Sequence, residues 1–261
     1  MNRPWRLRGD GYGNAGVVDA ERQRLRVELA DGKATTVNVV AYEIGAVELR
    51  VVRLMPEGPF ERWCDDRGIG EAVSGGFATK PGYEPLGELW IDGRRHPHRQ
   101  FRGAWANRRA ALTVSDGQVR IDHRDRLEPG RHLLQAGPLL VHDGRSAIDG
   151  VDDPEGFSAT AEEFDQDLTA SREPRLAIAI ARDRVLCVSA DGRSDDDAGA
   201  TLWELADLLV ALGASEGMNL DGGSASALVS DGARRNVPRD DEGNDMAISS
   251  PSVTGIIFSA A

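Results

Sequence analysis

An α+β fold, a single domain with a mixed, mostly antiparallel sheet and a few packed helices, is the class that this sequence predicts. Three observations carry it. Short runs of alternating apolar residues recur along the chain between Asp-Gly and Gly-Pro pairs, the pattern of strands joined by tight turns. One segment, residues 202–212, has the 3.6-residue apolar period of an amphipathic helix instead. No internal repeat and no linker-like change of composition divides the remainder.

Taken in order, residues 1–15 are Arg- and Gly-rich and read as a mobile leader before a domain spanning 16–261. Leu25, Val27 and Leu29 share one face, Asp31-Gly32 turns the chain, and Val37, Val39 and Ala41 continue the alternation, which predicts a hairpin. A further strand over Val47, Leu49 and Val51 ends before Pro56. A short helix is expected over residues 60–69, with Trp63 inward and Gly68 as its stop. Ala72-Val73-Ser74 is a strand running into Gly75-Gly76, where the backbone either turns with positive φ or closely approaches a ligand. Residues 86–131 hold several β-like runs. His96 and His98 form an H-x-H pair without a third ligand nearby, so a solvated loop is expected there. Residues 133–141 read as one strand interrupted by Gly137-Pro138, hence a bulge or an edge.

Residues 143–173 are acidic and lack periodic apolar positions, as a surface excursion, functional or disordered, would. Leu176, Ile178 and Ile180 then alternate with alanines, so both faces are apolar and the strand belongs inside a sheet. Residues 185–189 are its hairpin partner across Arg182-Asp183-Arg184. Thr201 and Glu204 form a capping box. Behind it Leu202, Leu205, Leu208, Leu209 and Leu212 line one helical face until Gly213. An apolar strand delivers Asp221, an arm over residues 224–229 reaches the turn Asp231-Gly232, and residues 252–258 close the fold.

The bulk properties exclude several classes. With 261 residues, 40% apolar and 28% charged, the chain is long enough for a sizeable core and too apolar for disorder. A formal charge of −12 opposes a nucleic-acid partner. Cys64 and Cys187 stand alone, so neither a disulfide framework nor a zinc spacing arises from them. No window approaches the run of about 18 apolar residues of a membrane span. The N-terminus lacks the apolar core of a secretory signal, which makes the cytoplasm the expected compartment. No cofactor is expected; metal dependence and oligomeric state stay open.

The densest chemistry lies in Met218-Asn219-Leu220-Asp221-Gly222-Gly223-Ser224-Ala225-Ser226. Asn219 and Asp221 are two apart on an extended stretch and face the same way. The paired glycines relieve crowding around Asp221, a candidate base or nucleophile, which Asn219 would orient unless it binds a ligand itself. The alternative is that Asp221 only bonds the backbone N–H groups that follow it. Arg175 and Arg193 suit bidentate phosphate recognition or, equally, surface ion pairs. Gly75 and Gly76 are candidates to present backbone N–H groups to phosphate oxygens.

The ordered set of segments resembles the phosphodiester glycosidase family. That family shows an Asn-Gly-Gly-Phe-Phe segment, an Ala-Gly-Pro segment, a Pro-Arg-Thr strand and a Leu-Asp-Gly-Gly-Gly-Ser-Ser segment after an amphipathic helix. The counterparts are Ser74-Gly75-Gly76-Phe77-Ala78, Ala136-Gly137-Pro138, Pro174-Arg175-Leu176 and Leu220-Asp221-Gly222-Gly223-Ser224-Ala225-Ser226. Asp191-Gly192-Arg193 falls between the last two. Ser74, Ala78, Ser224 and Ala225 depart from the family's usual residues.

The resemblance implies hydrolysis of a sugar-1-phosphodiester or related phosphate-linked carbohydrate. Ordinary glycosidases need two carboxylates, one to protonate a poor leaving group. Phosphate leaves more easily, so one carboxylate with cationic donors suffices. Asp221, Asn219 and Arg175 are then the catalytic candidates. Gly75, Gly76, Phe77, Arg193, Gly222, Gly223, Ser224 and Ser226 are the substrate-binding ones. Two other readings remain: a glycosidase on a non-phosphorylated glycan, with Glu88 or Asp191 as second carboxylate, and a non-catalytic carbohydrate- or phosphate-binding module.

Overall fold

Short alternating runs joined by tight turns favour antiparallel pairing, because parallel strands need crossovers of a dozen residues or more. The computed structural model, which describes residues 7–12, 18–80, 82–149, 153–157 and 171–261, is built that way. Its first strands are β1 (Leu7–Tyr12), β2 (Ala20–Glu28), β3 (Ala34–Glu43), β4 (Val47–Pro59), β5 (Ala72–Ser74), β6 (Leu89–Ile91), β7 (Arg94–Arg95), β8 (Ala110–Ser115) and β9 (Gln118–His123). After them come β10 (His132–Gln135), β11 (Leu139–His142), β12 (Arg145–Ser146), β13 (Arg175–Ala181), β14 (Arg184–Ala190), β15 (Glu216–Asn219), β16 (Leu228–Ser230), β17 (Ala233–Arg234) and β18 (Pro251–Ala260).

The strands form an eight-stranded sheet ordered β1-β2-β3-β14-β13-β15-β11-β12 and two five-stranded sheets, β7-β6-β10-β8-β9 and β17-β16-β5-β18-β4. Every ladder is antiparallel, from β2–β3 to β18–β4. Parallel pairing among the described residues is confined to the isolated bridges Ile44–Val47 and Leu86–Arg99. The mostly antiparallel pairing is as expected, while the α+β class is corrected. Strands dominate, and the described residues hold only two α-helices, α1 (Phe60–Asp65) and α2 (Leu202–Ala211). Of the expected leader, Leu7–Tyr12 pairs with β2 as β1; the rest of it lies outside the described residues.

The eight-stranded sheet is buried on both faces. One face packs Val37, Val39, Ala177 and Val188 against Leu202, Leu205, Leu208 and Leu209 of α2. Each fully buried leucine there contributes about 1.5–3 kcal/mol relative to exposure. Both halves of the capping box form: Glu204 N–H donates to Thr201 Oγ1 at 3.2 Å and Thr201 N–H to Glu204 Oε2 at 2.9 Å. The opposite face of the sheet carries Tyr42, Ile178, Cys187 and Met218 into the main core with Leu112, Leu134 and Ile256 of the smaller sheets. α1 covers the β4–β5–β16–β18 sheet with Phe60 and Cys64, while Trp63, expected inward, is only half-buried.

Gly137-Pro138 is a corner between two sheets, and the register shift of a bulge follows it between Leu139 and Val141. Pro138 offers no N–H to a ladder and Gly137 stands at φ +109°, so the chain leaves one sheet as β10 and enters another as β11. The β-hairpin arm expected over residues 224–229 forms only at its far end, where β16 pairs with β17 across Asp231-Gly232; residues Gly223–Ala225 before it are a 3₁₀ turn. A buried polar knot ties the sheets together. Glu71 accepts from Arg22 NH2 at 2.5 Å, Tyr42 Oη at 2.8 Å, Ser230 Oγ at 2.6 Å and Asp231 N–H at 2.8 Å.

Candidate active site

The segments singled out in the sequence meet at the carboxyl-terminal end of β15. Asp221 lies two residues past that strand and donates its N–H to Gly75 O at 2.9 Å. Gly223 N–H donates to Pro174 O at 2.8 Å, which docks the loop on the start of β13. Ser74 Oγ receives Ala227 N–H at 3.0 Å and donates to Ala225 O at 3.3 Å, closing the loop from the β5 side. The Gly137-Pro138 corner joins through Asn219, whose N–H bonds Pro138 O at 2.9 Å and whose Nδ2 bonds Gly137 O at 3.0 Å.

Glycine is required here by proximity. A Cβ on Gly75 would stand 2.6 Å from Thr254 Oγ1, and one on Gly222 would stand 2.7 Å from Pro174 O. Neither glycine has a positive φ. The N–H groups of Gly75 and Gly76 are spent on Thr254 O and Thr254 Oγ1, both at 2.9 Å. Those N–H groups are thus not free for a phosphate, and Gly75 instead holds Asp221 through its carbonyl. Phe77 is likewise inward, packed edge-on against Phe101 and tilted against Phe157.

Asp221 is half-buried. Burial pushes its carboxyl up to about 7, against the opposing pull of the Lys80 charge and the Gly222 N–H. The local bond to the following N–H is therefore present, yet it does not bring the carboxyl back to its ordinary range. A carboxyl titrating near neutrality exchanges protons at working pH and is a good acid–base or nucleophilic group. Lys80 was not among the expected site residues. It is exposed on the turn that follows the Gly-Gly-Phe segment, and of 31 basic residues only Lys33 and Lys80 are lysines, a signal readable in the sequence.

The two expected arginines divide. Arg175 is buried, with Nε on Ala200 O at 3.0 Å and NH2 on Ser171 O at 2.8 Å, and burial lowers it to about 10. It ties β13 to the entrance of α2, which corrects its placement among the reacting groups. Arg193 faces the loop. Its Nε bonds Glu173 Oε2 at 2.6 Å and its NH1 reaches Asp241 Oδ1 at 2.9 Å. Its NH2 lies 3.5 Å from where a Gly223 Cβ would be. Arg193 sits at φ +64°, a region that non-glycine residues rarely occupy and that clusters at functional sites.

Among the hydroxyls, Ser226 is buried and donates to Gly223 O at 2.8 Å. Ser224 is part-exposed and accepts from Ser250 Oγ at 2.9 Å. Asn219 is buried, and its Oδ1 has no partner among the described residues. The other carboxylates are occupied. Glu88 takes Arg124 Nε at 2.6 Å and Trp90 Nε1 at 2.9 Å. Asp191 takes Val237 N–H at 2.9 Å. Glu155, which the sequence does not mark, is pushed up to about 7 by burial and gives its oxygens to Leu139 and Ala110 N–H at 2.6 and 2.8 Å.

The raised carboxyl of Asp221 thus sits on a glycine-packed loop that the Arg193 NH2 edge approaches at Gly223. The family model described as phosphodiester glycosidase matches residues 67–258, and the chain belongs to that family of hydrolases. No curated protein matches by sequence. Three solved structures share the fold. The zebrafish N-acetylglucosamine-1-phosphodiester alpha-N-acetylglucosaminidase catalytic domain, auto-inhibited by its pro-peptide, is similar at TM-score 0.69 and 14% identity, over 98% of this chain and 88% of that one. A hypothetical protein from Synechocystis is similar at TM-score 0.63 and 18% identity, over 99% of this chain and 68% of that one. A protein of Burkholderia pseudomallei K96243 is similar at TM-score 0.63 and 16% identity, over 87% of this chain and 74% of that one.

Proposed function

We propose that the chain hydrolyses a sugar-1-phosphodiester, with Asp221 acting at the anomeric carbon. The single observation that carries this reading is the Asp221 carboxyl, raised to about 7, on the loop that Arg193 NH2 approaches. The bond between the anomeric carbon and its bridging oxygen breaks, and the electron pair leaves with the phosphate monoester. Water supplies the hydroxyl of the free sugar, either after Asp221 removes its proton or after Asp221 has itself bonded to the anomeric carbon. Arg193, through an NH2 edge without a hydrogen-bond partner among the described residues, and the Ser224 hydroxyl hold the departing phosphate, with Lys80 adding positive charge near the carboxylate. Asn219 and Arg175 are positioning residues: the first fixes the Gly137 corner against β15, the second fixes the start of β13.

The test compares sugar-1-phosphodiesters with alkyl glycosides of the same sugars, using wild type and Asp221→Ala. Hydrolysis of the phosphodiesters alone, abolished by the substitution, is the expected result. Equal turnover by both proteins would sink the role given to Asp221, and preference for the alkyl glycosides would favour an ordinary glycosidase.

A further inference from the structure

At the other end of β15, away from Asp221, three side chains of metal-ligating type converge. His142 closes β11, Asp143 follows it in the turn, and Glu216 opens β15, the strand paired with β11. One donor atom from each lies within 4.8 Å of the other two. His142 Nδ1 is 3.0 Å from Glu216 Oε2, and His142 Nε2 is 3.8 Å from Asp143 Oδ2. The backbone fixes the arrangement: Asp143 stands at φ +49° and gives its N–H to Glu216 Oε1 at 3.2 Å. Asp122 of the neighbouring strand β9 adds a further negative charge that the imidazole feels, and Arg126 pairs with that carboxylate at 3.5 Å.

We propose that His142, Asp143 and Glu216 form a binding site for a divalent transition-metal ion of the zinc class. One imidazole nitrogen and two carboxylate oxygens are a donor set that zinc takes, with bonds of about 2.0–2.2 Å. Tetrahedral bonds of that length place neighbouring donors about 3.3 Å apart; Nδ1 now faces Glu216 and Nε2 faces Asp143, so the imidazole must turn until one nitrogen serves alongside both carboxylates. Calcium and magnesium prefer six or more oxygen donors, and the imidazole selects against them. The Asp143 side chain is 86% exposed, which leaves the fourth position open to a water molecule. From Glu216 to Asn219 the strand advances about 10 Å. A bound ion would therefore pin β15 to β11 without touching Asp221, and the proposal stands or falls apart from the hydrolytic one.

The test is titration of zinc chloride into the tag-free full chain, previously stripped with chelator, by calorimetry and thermal melting. One ion per chain is expected, with a melting temperature raised by about 5 °C when free zinc is a hundredfold above its dissociation constant. His142→Asn and Asp143→Asn should each weaken binding at least tenfold; the exposed Asp143 makes the second variant safe for folding. Excess calcium should leave the zinc isotherm unchanged. Absence of saturable one-to-one binding, undiminished affinity in both variants, or displacement by calcium would each overturn the assignment.

Discussion

Asp221 contributes to stability in a direction that its chemistry requires. Its carboxyl titrates near 7 in the fold against 3.8 as a model group, so the folded state holds a proton that the unfolded state has lost between those values. Stability from this group is therefore full at low pH, falls as pH rises toward 7, and stays low above it. With its partial exposure allowed for, the cost above pH 7 is on the order of 2 kcal/mol. Asp221→Asn should raise the melting temperature at pH 8 and leave it nearly unchanged at pH 4, as calorimetry at the two values would show. Arg193 acts at the same scale. If its NH2 holds the phosphate, Arg193→Ala should raise KM by about tenfold or more, the worth of a charge-assisted hydrogen bond. Inhibition by the phosphate monoester product should weaken in parallel, which a purely structural arginine would not produce.

At the scale of elements, local patterns named the parts whose partners are near in sequence. The β2–β3 and β13–β14 hairpins and the capped helix α2 lie where alternation, turn residues and the capping box put them. The failures are long-range. Gly137-Pro138 has the local look of a bulge, and only the tertiary structure shows β10 and β11 in different sheets. Gly75 suggested turn freedom, whereas the constraint is Thr254, distant in sequence. Two substitutions test these assignments. Thr201→Ala removes the N-cap of α2 and should cost about 1 kcal/mol in urea unfolding. Gly75→Ala drives a Cβ into Thr254 and should cost about 1–3 kcal/mol. It should also lower activity more than Thr201→Ala does, because Gly75 O holds the Asp221 N–H.

For the whole molecule, the site exists because three sheets meet. β5 brings Ser74 to Phe77, β13 brings Pro174 and Arg175, β15 brings Asn219 and Asp221, and the β10–β11 corner brings Gly137. The sequence shows each segment and their order but not which side chains reach the opening. Arg175 and Ser226 face inward because neighbouring carbonyls claim them, and the Lys80 charge, on the turn after β5, acts on Asp221. The acidic stretch after Asp143 hides another such case. Glu155 and Phe157 dip into the core beside Arg109, whose guanidinium stacks on Phe101 and Phe157. The knot around Glu71 joins two of the sheets, and Arg22→Met, which removes that buried carboxylate's cationic partner, should cost about 3 kcal/mol in denaturant unfolding.

The most direct test of the central claim is the pH dependence of kcat/KM for a sugar-1-phosphodiester, in wild type and in Asp221→Asn. If Asp221 acts as base or nucleophile, the wild-type rate rises with pH through about 7, the value to which burial brings this carboxyl. The variant should lose about a thousandfold in rate together with that rise. A variant that keeps the wild-type rate, or the same rise through neutral pH, would contradict the assignment of Asp221 as the reacting carboxylate.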